Sequence, residues 1–68
     1  MTLSTMVRER RESLTISKTE LGRLIGVTRQ AIDRWERGET EGIGARNIVA
    51  LEKALHFKAG ELFKAYYA

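Results

Sequence analysis

A chain of 68 residues with no Cys, no Pro and one His has room for one domain, residues 1–68, around one small core, which well-made helices or a partner subunit must support. It has no disulfide and no thiol nucleophile, almost no means of holding zinc, no apolar run that spans a bilayer and no signal-peptide core, so a soluble cytoplasmic protein is expected. The net charge of +3 lies wholly in the first half: residues 1–37 carry eight Lys/Arg against five acids, residues 38–68 four against four, as expected if the first half faces a polyanion.

The lack of Pro and the abundance of Glu, Arg, Leu and Ala predict an all-α domain. Leu3, Met6, Val7 and Leu14 recur at helical spacing and predict a first helix over about 3–14. Ser17 and Glu20 form a capping box that opens a second helix, with Leu21, Leu24 and Ile25 as its buried stripe and Gly26 as its stop. Only Gly26, Val27 and Thr28 separate it from a third helix over 29–37, capped by Thr28 and burying Ala31, Ile32 and Trp35. A glycine-rich loop over 38–44 leads to a fourth helix over about 45–55, with Ile48, Leu51 and Leu55 inward. A short fifth helix over about 59–66 carries Leu62, Phe63 and Tyr66, but Lys58 and Gly60 are a poor start, and its order is expected to depend on a partner subunit.

Two short helices joined by three residues must cross steeply and touch closely, which suits Gly22 with no Cβ and Gly26 in the turn. Lys18, Leu21, Gly22, Gly26, Thr28, Ile32 and Trp35-Glu36-Arg37-Gly38 stand at fixed spacing in a segment that resembles the helix-turn-helix of the Cro and lambda-type phage-repressor family. The resemblance covers about residues 3–63 and implies a compact five-helix domain that binds a palindromic operator as a homodimer, with the third helix in the major groove.

Carried over residue by residue, it places Arg29, Gln30, Asp33, Arg34 and Lys18 against base edges: arginine suits guanine, Gln30 adenine, and Asp33 the cytosine amino group. Asp33 could instead pair with Arg29 one turn earlier. Thr28, Arg10, Arg37 and Arg46 are phosphate candidates, the first because helix N-termini bind anions. The family also implies a structural ion pair between Arg11 and Glu36, and Trp35 in the core. One departure is the loop after helix 3, which carries Glu39 and Glu41 in place of basic residues and Pro and so grips phosphate poorly.

Phe57, Phe63, Tyr66 and Tyr67 are more apolar than a chain end needs and are the expected dimer contact. An enzyme is disfavoured, since there is no Cys, no His pair and no paired carboxylates in an apolar setting, and neither cofactor nor metal is expected. The alternative is the antitoxin of a toxin–antitoxin pair, binding its own promoter and a toxin protein.

Overall fold

The computed structural model describes residues 1–67 and contains five helices: α1 (Leu3–Ser13), α2 (Lys18–Ile25), α3 (Arg29–Glu36), α4 (Ala45–Ala54) and α5 (Glu61–Tyr66). The contacts α2 with α3, α4 with α5, α1 with α3, α2 with α4 and α1 with α5 close these helices around one core. Leu3, Val7, Leu21, Ile32, Trp35, Ile43, Ile48, Leu51, Leu55 and Leu62 form that core. Among the described residues no helix is long and apolar enough to cross a membrane.

Side-chain oxygens start the first three helices. Thr2 Oγ1 accepts from the Thr5 amide at 3.2 Å, Ser17 Oγ from Glu20 at 3.0 Å and Thr28 Oγ1 from Ala31 at 3.1 Å. The Glu20 carboxylate lies 3.3 Å from Arg23, so the return half of the expected capping box is replaced by an ion pair within the helix. The α1–α2 connection turns at Thr15, with φ of 60° although the residue is β-branched. Two backbone bonds support the turn, Thr15 N–H to Glu12 and Ile16 N–H to Arg11.

Two leucines expected inside are outside. Leu14 is the C-cap of α1 and is 36% exposed, and Ile16 packs against the core beyond the turn in its place. Leu24 is 55% exposed. A helix turns by about 100° per residue, so the arc from Leu21 and Ile25 to Gly22 that meets the core leaves Leu24 well to one side.

Of the glycines, Gly22 is the one whose position leaves no room for a Cβ. A Cβ there would lie 2.7 Å from the Val27 carbonyl oxygen and 3.3 Å from the Thr28 carbonyl carbon, so at Gly22 α2 presses on the turn that opens α3. Gly26 supplies the left-handed residue of that turn, with φ of 79°.

Buried charges fasten the remaining elements. Arg11 of α1 donates from Nε and Nη2 to both Glu36 carboxylate oxygens, at 2.7 and 3.0 Å, and from Nη1 to the Ile16 carbonyl at 2.9 Å. A fork matched to a carboxylate in this way fixes direction as well as distance. Glu52 of α4 is 3% exposed and accepts from the Leu62 and Phe63 amides at 2.9 and 3.3 Å. Glu61 accepts from the Lys58 amide at 3.0 Å. The start of α5 is therefore held within the same chain by two glutamates.

Two substitutions test this packing. Alanine is the better helix former by about 0.8–1.0 kcal/mol, yet Gly22→Ala must push the Val27 carbonyl away, at about 1–3 kcal/mol. A net loss of stability on urea denaturation is expected, and a more stable variant would show the contact to be loose. Arg11→Met leaves Glu36 buried without its partner and should cost about 3–5 kcal/mol, with Arg11→Met/Glu36→Leu recovering part of the loss. A single variant as stable as the parent would show that Arg11 does not hold α1 to α3.

Candidate nucleic-acid interface

The turn Gly26-Val27-Thr28 ends α2 and starts α3 within three residues, and Val27 N–H closes onto the Gly22 carbonyl at 2.8 Å. The inward side of α3 is consumed by Ile32, Trp35 and Glu36. Trp35 is 5% exposed and belongs to the core. What remains on α3 and its C-cap is a polar row: Arg29, Gln30, Arg34 and Arg37 are exposed, and Asp33 is half-buried among them.

The row is not uniformly basic. Asp33 accepts from Lys18 Nζ at 2.6 Å through Oδ1, and its Oδ2 lies 3.5 Å from Arg37 Nε. Its partners are therefore Lys18 at the start of α2 and Arg37 one turn later, not Arg29 as the i, i+4 spacing allowed. The Lys18 hydrogen bond holds the Asp33 carboxyl below the usual aspartate range, aided by the charges of Lys18, Arg37 and Arg29 and opposed by partial desolvation. The stabilisation from this pair is present at neutral pH and is lost as pH falls through that lowered value. Glu39, in the following loop, lies 3.4 Å from Arg37 Nη2 and 3.9 Å from Arg34 Nε.

The other expected contact residues divide into two groups. Thr28 and Arg46 are exposed at the starts of α3 and α4, where N–H groups are available to an anion. Gly44, the N-cap of α4, contributes no side-chain cap, so the first amides of that helix are open as well. Arg10 is committed elsewhere. Its Nη1 donates to the Leu55 and His56 carbonyls at 2.8 and 3.0 Å, and its guanidinium lies 4.1 Å from the centre of the Phe57 ring. It thus caps the C-terminus of α4 and covers Phe57.

The aromatic end of the chain forms its own cluster. Phe63 and Tyr67 stack at 5.8 Å, Tyr66 and Tyr67 meet edge to face at 4.9 Å, and Tyr67 is 71% exposed. The Tyr66 hydroxyl donates to the Thr40 carbonyl at 3.3 Å, tying this cluster to the loop that follows α3. Phe57, grouped with these aromatics on composition, stands apart from them beneath Arg10.

Three features of the structure are not marked in the residues: the buried Glu52, the core residue Ile43 in the glycine-rich loop, and the Lys18–Asp33 bond. Ile43 stood alone among glycines and acids with no periodicity to mark it. Lys18 and Asp33 lie fifteen positions apart, so only the crossing of α2 and α3 brings them together.

The chain is similar to known proteins over nearly its whole length. Repressor protein C2 of Salmonella phage P22 is 45% identical over 58 residues, covering 85% of this chain and 26% of that protein. An uncharacterised HTH-type transcriptional regulator of Sinorhizobium fredii, y4wC, is 36% identical over 58 residues, covering 85% of this chain and 40% of its own length. The chain thus spans less than half of each of these relatives. The P22 c2 repressor, solved in complex with a synthetic operator, superimposes with a TM-score of 0.82 at 39% identity, over 91% of this chain and 92% of that one. A helix-turn-helix family model matches residues 7–62, and with the Gly22–Gly26 turn and the capped α3 in place this chain belongs to the helix-turn-helix family.

Proposed function

We propose that this protein is a repressor-type transcription regulator that binds a palindromic operator as a homodimer, with α3 in the major groove. The observation that carries the reading is the exposed row Arg29, Gln30 and Arg34 on a helix whose inner face is locked by Ile32, Trp35 and Glu36. A helix held this firmly can present bidentate donors at fixed positions, which base readout requires. Arg29 and Gln30, in the first turn of α3, are the base-reading residues, with Arg34 one turn further along. Thr28, Arg46 and the open amides of α3 and α4 bind the flanking phosphates. The related P22 repressor, solved on a synthetic operator, supports the same mode here.

One copy offers few base contacts, and pairing on a two-fold site multiplies them. The exposed Tyr67, with Phe63 and Tyr66, is the surface through which two copies meet. Repression then follows from occupancy of the operator.

Selection of binding sites from a random duplex pool tests the proposal. The expected result is a two-fold symmetric sequence with half-site centres about 10 bp apart, relaxed at separate positions by Arg29→Ala and by Gln30→Ala. Binding with no enriched sequence, indifferent to both substitutions, would overturn it and direct attention to a protein partner such as a toxin.

A further inference from the structure

Lys18, Arg34 and Arg37 could each bind phosphate, yet each faces a carboxylate of its own chain. Asp33 holds Lys18 at 2.6 Å and Arg37 at 3.5 Å, and Glu39 lies 3.4 Å from Arg37 and 3.9 Å from Arg34. Three cations against two carboxylates leave one net positive charge on this part of the face. Arg29 makes no ion pair among the described residues and stands exposed beside them.

The two acids are not equivalent. Glu39 is exposed in a loop, and its contacts are long, the kind of surface pair that contributes little. Asp33 is half-buried, engages a cation through each oxygen, and takes the shortest of these bonds from the residue that opens α2. It therefore ties the two helices of the helix-turn-helix together at the point where both would meet a duplex.

Binding to DNA regardless of sequence comes almost entirely from cations that displace condensed counterions. A cation already paired with a carboxylate releases fewer, because its own pair must first open. The carboxylate, once free, is repelled by phosphate unless a base edge offers it a donor. We propose that Asp33 is a specificity-determining residue that suppresses sequence-independent binding by holding Lys18 as an intramolecular counterion, leaving Arg29 and Gln30 to select the site. This rests on the DNA-binding reading above and adds to it a restraint on affinity for the wrong DNA.

The test is the salt dependence of binding to a random-sequence duplex, followed by fluorescence anisotropy, for the parent, Asp33→Asn and Asp33→Glu. Asp33→Asn keeps the side-chain shape and frees Lys18, while Arg37 keeps Glu39 at 3.4 Å, so the slope of log affinity against log salt should steepen by about 0.9 for one added phosphate contact. Between 50 and 200 mM salt that slope amounts to an additional loss of about three- to four-fold. Asp33→Glu keeps the charge and should stay near the parental slope. Lys18→Gln/Asp33→Asn, with the freed cation removed, should return the slope to about the parental value.

Were the Lys18–Asp33 bond only a brace between helices, Asp33→Asn would lower the melting temperature and leave slope and random-duplex affinity at parental values, which would overturn the inference while leaving DNA binding intact. Failure of the parent protein itself to bind any duplex in a salt-dependent way would remove the underlying reading and this inference with it.

Discussion

The fork between Arg11 and Glu36 is the constraint on which the rest of the structure depends. Glu36 is the last residue of α3, and the same arginine also takes the Ile16 carbonyl in the turn that leads into α2. One buried side chain therefore fixes the far end of α3 to α1 and sets where α2 begins. The near end of α3 is fixed by a steric condition, the approach of Gly22 to the Val27 carbonyl. Held at both ends, an eight-residue helix too short to be stable alone becomes a rigid part. Burying a charge pair is a poor source of stability compared with apolar packing, and its value here lies in orientation.

A rigid α3 makes the charge pattern on its outer side meaningful. Were the face only a cloud of positive charge, the position of each arginine would matter little. Lys18, Asp33 and Arg37 instead form a chain of contacts across the helix-turn-helix, with Arg29, Gln30 and Arg34 standing beside it. Strong general attraction and selective contact are separate properties, and acids placed among the bases shift the balance towards selection. Glu39, between Arg34 and Arg37, continues the same pattern into the loop.

Much of this was legible in the residues themselves, because it is governed by local rules. Ser17 and Thr28 mark helix starts through oxygen-to-amide bonds that span three residues, and Gly26 marks a left-handed turn. The match of Lys18 to Gly38 with a known family pattern supplied the arrangement of the helices. What was not legible depends on contacts between distant residues. Leu24 shares the helical spacing of a core residue, but the core meets α2 over a narrow arc that passes it by. Glu52 is a charged residue on a helix, with no local mark that its carboxylate would receive the first amides of α5. Arg10 and Arg11 are adjacent and alike in sequence, yet one caps α4 and the other clamps α3, a division set by the 100° or so between neighbouring positions on a helix.

The measurement that bears most directly on whether α3 is the recognition surface is a nitrogen–proton NMR titration of the protein with a duplex carrying its selected site. Shifts and broadening concentrated at Lys18, at Thr28 to Arg34 and at the start of α4, with the buried amides of α1 little changed, would establish that the face held by Arg11 and Gly22 is the one that meets DNA. Changes centred on the outer side of α1, or on no common surface, would contradict it.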